Sequence, residues 1–120
     1  MRAARAGNPG AMTEPVVIAP VGELDLHAAR ELRPALDDAA GADFPVLIVD
    51  LSEVTFIDST GLGAILQAHQ RLRRQGRAVK VVVPPGSAAA VTIDLAGLRS
   101  VLTLCPSRAA ALGEDTLPQV

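Results

Sequence analysis

Short runs of Val, Ile and Leu alternate along this chain with segments whose apolar residues recur every three or four positions, and that alternation restricts the fold more than any other feature. The clearest run, Val46 to Val49, contains no polar residue. A strand buried on both faces requires that composition. "PVVIAPV" at Pro15 to Val21 reads as a second strand, stopped by Gly22 and placed near a sheet edge by Pro20. "AVKVVVP" from Ala78 and "SVLTL" from Ser100 supply two more. Between them lie three helical patterns and the start of a fourth. Leu26, Ala29, Leu32, Leu36 and Ala39 or Ala40 mark the first, with Asp25 as cap, Gly41 as stop and an expected kink at Pro34. Leu62, Ile65, Leu66, His69 and Leu72 mark the second, which starts at about Gly61 and stops at Gly76. "GSAAAVTIDLAGL" follows, with Ser87 as cap, Val91 and Leu95 one turn apart, and Gly97 as stop; "PSRAAAL" begins a short last helix.

Strands and helices in this order predict one α/β domain around a mixed central sheet of about four or five strands with about four helices. The 120 residues leave no room for a second domain. The expected boundaries are a flexible tail over 1–11, the domain over 12–113 and a frayed tail over 114–120.

Charge and composition exclude several functions. Eleven basic residues face thirteen acidic ones, so no excess of positive charge is available for a phosphate backbone, and the two aromatics, Phe44 and Phe56, offer no stacking platform. The run "RLRRQGR" from Arg71 to Arg77 reads as a solvated helix face. Cys105 is the single cysteine, which rules out an intrachain disulfide and points to a small buried hydrophobe. No apolar run is long enough to cross a membrane, and "MRAARAGNPGAM" lacks the apolar core of a signal peptide. A cytoplasmic protein without membrane insertion is expected.

The chemistry-bearing element is "IDSTGLG" at Ile57 to Gly63. It joins an apolar run to a helix, so Ser59 lies at or near a helix N-terminus and reads as its cap, while Gly61 and Gly63 cost about 1 kcal/mol each in helix propensity that capping alone does not require. Those glycines serve either tight packing or the close approach of a partner. A nucleophilic role for Ser59 fails. The elbow motif wants glycine two residues earlier, where Ile57 stands, and the only candidate bases are His27, in a first helical turn, and His69, on an apolar helix face. The phosphate-binding G-x-x-x-x-G-K-[ST] loop is absent, and Asp25, Asp50, Asp58, the two histidines and Cys105 have no metal-ligand spacing. No catalytic residue, metal or cofactor is expected.

"GELD" at Gly22 to Asp25, "ELR" in the first helix, "DLSEVTFIDSTGLGAIL" from Asp50, "VVVP" and "LAGLRSVL" resemble the anti-sigma-factor antagonists of the STAS superfamily from Pro15 to Leu112. The D-S-[ST]-G-L-G element is the specific part. The resemblance implies that the chain is a partner-switching protein and not an enzyme. Ser59 is then the residue phosphorylated by a partner kinase, with Thr60 as the secondary alternative. That partner is an anti-sigma factor with a histidine-kinase-like ATPase domain. The unphosphorylated form binds it and frees a sigma factor, phosphorylation ends the binding, and a metal-dependent serine/threonine phosphatase restores it. The implied contact surface is Asp25, Asp58, Ser59, Thr60, Gly61, Leu62 and Gly63. Two other roles fit a domain of this type: a STAS subunit of a lipid or solute transport complex that docks without phosphorylation, and a small-molecule or nucleotide sensor. The family often opens with a hairpin, so either residues 1–11 supply a further strand or the sheet is one strand smaller.

Overall fold

The Val46 to Val49 run forms the middle of strand β4 (Val46–Asp50), and its four residues are buried to different sides of one central sheet except for the half-buried Val46. In the computed structural model, which describes residues 2–5, 15–42 and 44–113, β4 pairs in parallel with β2 (Val16–Ala19) and with β6 (Ala78–Val82), and β6 pairs in parallel with β7 (Thr103–Cys105). An outer strand, β1 (Arg2–Arg5), runs antiparallel to β2 and completes the order β1-β2-β4-β6-β7. The sheet is therefore mixed and five-stranded, as expected.

One expectation is corrected here. Residues 2–5, expected within a flexible tail, form β1, which is the further strand that the alternative reading of 1–11 allowed, because the outer edge of β2 presents backbone groups that an added strand satisfies. β2 is therefore the second strand from that edge of the sheet, near the edge as Pro20 predicts. Pro20 is compatible with that position because it falls just beyond Ala19 and removes no ladder bond. The expected tail over 114–120 lies outside the described residues.

Period-two alternation sorts the strand residues into two cores. Ile18, Leu47, Val49 and Val81 face one side, where they pack with Leu32 and Leu36 of α1 (Leu26–Gly41), Ile65 and Leu72 of α2 (Ser59–Arg74), and Ile93 of α3 (Ala88–Leu95). Val17, Ile48 and Val82 face the other side and are covered by Ala111 of the short helix α4 (Arg108–Leu112). Each fully buried Leu or Ile contributes roughly 1.5–3 kcal/mol relative to exposure.

α1 runs without a break across Pro34. In α3 the packed face is Ala89, Ala90 and Ile93, whereas Val91 and Leu95, the one-turn pair visible in the sequence, are 53% and 84% exposed. Arg77 also departs from the solvated face expected for the basic run. Its guanidinium donates to the carbonyls of Ala42, at 2.6 Å, and Ala40, and stacks 4.7 Å from the centre of the Phe44 ring. A cation thus satisfies the free carbonyls at the C-terminus of α1.

A second, smaller sheet stands apart from the first. β3 (Gly22–Leu24) and β5 (Val54–Ile57) pair in parallel, with Leu24 opposite Ile57. Neither was expected as a separate strand: Gly22 reads as a stop, and Val54 to Ile57 reads as the end of the run before the serine turn. This pair positions the candidate site.

Candidate modification and docking site

Because Leu24 and Ile57 are partners in a parallel register, the next residue on each strand, Asp25 and Asp58, ends its strand on the same side of the small sheet. Each then caps a helix. The Asp25 carboxylate accepts from the Ala28 amide at 3.0 Å, and Asp58 Oδ1 accepts from the amides of Thr60 at 3.0 Å and Gly61 at 3.1 Å. The N-termini of α1 and α2 consequently open side by side, presenting two partial positive charges over one edge.

Asp58, and not Ser59, is the N-cap of α2. This corrects the expected capping role of the serine: the carboxylate has extended backbone at φ −106° and ψ −175° and reaches the amides two and three residues on. Ser59 is instead the first helical residue, exposed, with no side-chain hydrogen bond among the described residues. Thr60 differs. Its hydroxyl donates to Asp58 Oδ1 at 2.5 Å and is half-buried. The hydrogen bond from the Thr60 hydroxyl, with the Gly61 amide next, holds the Asp58 carboxyl below the usual carboxylate range. One hydroxyl is free for chemistry and its neighbour is committed to the cap.

The two glycines separate in the same way. A Cβ on Gly61 would lie 2.7 Å from the Leu24 carbonyl oxygen and 2.9 Å from Leu24 Cγ, whereas a Cβ on Gly63 would meet nothing within 4 Å. Gly61 therefore lets the first turn of α2 sit directly on β3. Leu62, expected on the contact surface, is 6% exposed and belongs to the main core. Its position follows from the helical period, since Leu62, Ile65 and Leu72 share the buried face. Sequence reasoning missed the exposed apolar residues flanking the two helix starts: Val21, Leu26 and Phe56. An apolar residue on a two-stranded ribbon with no second layer over it is the signal that could have found Phe56.

No nucleophile and base meet here. His69 lies ten residues from Ser59 on the same helix, about 15 Å along its axis. It is buried, and neither ring nitrogen reaches a partner of good geometry. His27 is exposed beside Glu31 at 3.8 Å. Asp50 is likewise committed elsewhere: it accepts from the Ser52 amide at 2.9 Å, the Ser52 hydroxyl at 2.5 Å and Arg108 Nε at 2.7 Å. Among the described residues no three His, Cys, Asp or Glu side chains group as metal ligands, and no helix is long and apolar enough to cross a membrane.

Fold and site together give a small α/β domain with an exposed hydroxyl at a helix start. The family model described as the STAS domain matches residues 5–111, and the chain belongs to that family. An anti-sigma-B factor antagonist of Listeria monocytogenes is 36% identical over 63 residues, 52% of this chain and 55% of that protein. The chain thus spans about half the length of the curated relatives it matches. Among solved structures, an anti-sigma factor antagonist from Mycobacterium paratuberculosis superposes with a TM-score of 0.79 at 28% identity, covering 93% of this chain and 91% of that one. The phosphorylated form of the Bacillus cell fate determinant SpoIIAA shares the fold, with a TM-score of 0.65 at 21% identity over 94% of this chain and 100% of that one.

Proposed function

We propose that this chain is an anti-sigma factor antagonist whose binding is switched by phosphorylation of Ser59. The unphosphorylated protein binds an anti-sigma factor with serine kinase activity in the cytoplasm and so frees a sigma factor. A metal-dependent serine/threonine phosphatase resets it. The observation that carries this reading is the division of labour in the first turn of α2: the Ser59 hydroxyl is exposed and unbound, while that of Thr60 is held by Asp58 at 2.5 Å. The curated relatives, named as anti-sigma-B factor antagonists, support the partner class.

The physical basis of the switch is local. A phosphate adds roughly −1.5 to −2 charges. It lands at a helix N-terminus, which tolerates negative charge, so the domain itself has no reason to unfold. A partner docked over the two helix starts meets bulk and charge at the centre of its contact. Losing about 2.8 kcal/mol of binding there lowers affinity roughly a hundredfold. The contact surface in this reading is Asp25, Asp58, Ser59, Thr60 and Gly63 with exposed Leu26 and Phe56, and with Gly61 and Leu62 supporting it from beneath.

The test is capture from native cell extract with wild-type protein, Ser59→Ala and Ser59→Asp, identified by mass spectrometry, followed by incubation of the captured complex with ATP and mapping of the phosphate. Wild type and Ser59→Ala should retain a protein carrying a histidine-kinase-like ATPase domain, Ser59→Asp should lose it, and phosphate should appear on Ser59 and not on Thr60. Equal capture by all three, or recovery of transporter subunits alone, would overturn the phosphoswitch.

A further inference from the structure

A groove of about 310 Å³ lies between α1 and α2, on the half of α2 remote from Ser59. Its floor is apolar and shallow because three of the buried residues beneath it, Ala40, Ala64 and Ala68, are alanines. Its rim carries the guanidinium groups of Arg33, Arg71 and Arg74 against the single carboxylate of Asp37. That is a net charge of +2 on the rim of a chain whose formal net charge is −2.

Helix electrostatics accounts for only part of this. Arg71 and Arg74 lie in the last turn of α2, where cations complement the helix dipole. Arg33 lies in the middle of α1, whose own last turn holds no basic residue. It reaches across the groove, donating from Nη1 to the Gln67 side-chain oxygen. The rim is also free to exchange partners. Arg71 pairs with Asp37 at 3.0 Å, but the two side chains are 48% and 68% exposed, and such pairs are worth little in water. Arg74 has no partner among the described residues.

We propose that this groove is a binding site for a small phosphate-bearing anion. Guanidinium groups present planar forks matched to phosphate oxygens, and three of them converge here from two helices. The volume stands at the lower end of small-ligand sites. It fits a pyrophosphate, a phosphomonoester or a single lipid headgroup. The site is separate from the phosphorylation element: Gln67 is eight residues beyond Ser59 on α2, about 12 Å along the axis.

Titration of the full chain with inorganic pyrophosphate, followed by amide shifts in proton–nitrogen correlation spectra, tests the proposal. A parallel arm measures co-sedimentation with phosphatidylcholine vesicles with and without phosphatidic acid. Saturable shifts confined to Arg33, Gln67, Arg71 and Arg74, or phosphatidate-dependent sedimentation, each weakened at least about tenfold by Arg33→Gln combined with Arg74→Gln, support it. Which arm responds identifies the anion as free or lipid-borne. Absence of both responses at about 10 mM pyrophosphate or phosphatidate in low salt overturns it. So does a response shared with Arg73, Arg99 and Arg108 and insensitive to the double substitution, because that pattern is general charge screening. Unchanged spectra elsewhere in the double variant show that it is folded.

Discussion

Gly61 and Gly63 are two residues apart in one helix, yet the structure assigns them opposite energetic signs. Alanine at either position gains about 1 kcal/mol in helix propensity. At Gly63 nothing within 4 Å opposes the added methyl, so Gly63→Ala should stabilise the domain by up to that amount. At Gly61 the methyl would stand 2.7 Å from a backbone oxygen of β3 and 3.2 Å from Ile57 Cγ1. The backbone oxygen cannot rotate away as a side-chain tip could, and overpacking of this kind costs about 1–3 kcal/mol. Gly61→Ala should therefore lower the urea midpoint while Gly63→Ala raises it or leaves it unchanged. Equal effects of the two would show that the first turn of α2 does not rest on Leu24. The sequence pattern could pose the choice between packing and access but not assign it, because the choice depends on how closely β3 approaches, and β3 is invisible to local reasoning.

The helices were legible for a reason that the small sheet lacks. Asp25, Ser87 and Ser107 each accept from an amide three residues on, so a cap residue before a periodic segment announces the element from within a few positions. β3 is three residues long and β5 four. Their pairing is a long-range event, and neither shows enough alternation to separate it from a turn. The exposed Val91 and Leu95 of α3 mislead in another way: the buried face is carried mainly by alanines, whose weak hydropathy hides it beside larger neighbours. Arg77 was unreadable for the same long-range reason. Its partners, Ala40 and Ala42, lie more than thirty positions away in a different element. Charged hydrogen bonds of this type contribute about 1.5–3 kcal/mol, and the stack on Phe44 about 0.5–1. Arg77→Ala should lower stability by about 2 kcal/mol with Arg77→Lys intermediate, measured by chemical denaturation, and hydrogen exchange should rise in the last turn of α1. A loss confined to the residues around Gln75 would place the role of Arg77 in its local turn instead.

At the scale of the molecule, the charged and titratable groups divide into an exposed end that can change and a buried set that holds the fold. Glu23, Asp25, Glu53 and Asp58 gather around the small sheet, where the Gly22 amide donates to the Glu53 carbonyl at 2.9 Å. In the proposed switch, a phosphate on Ser59 would join negative charges already present there, which would favour repulsion of a partner over rearrangement of the domain. The buried set governs stability against pH. Burial, followed by Arg73, lowers the His69 pKa below its ordinary value near 6.5, and the Val101 backbone offsets this only in part. The unfolded chain therefore takes up a proton at higher pH than the folded one. Between the lowered folded value and about 6.5, stability rises with pH, and above that window it is flat. Asp50 acts in a separate window. Burial alone would raise its pKa, but the Ser52 hydroxyl and amide and then Arg108 outweigh that effect and leave it lowered. Its contribution is complete above the ordinary carboxylate value and is lost as pH falls through the folded one. Unfolding free energies measured from about pH 3 to 8 should accordingly show two rising limbs. His69→Leu should flatten the upper limb, and Asp50→Asn should reduce the lower limb, to which the lowered Asp58 also contributes, each leaving the other limb in place. An upper limb that survives in His69→Leu would assign that proton to another group and return His69 to a purely steric role in the packing of α2.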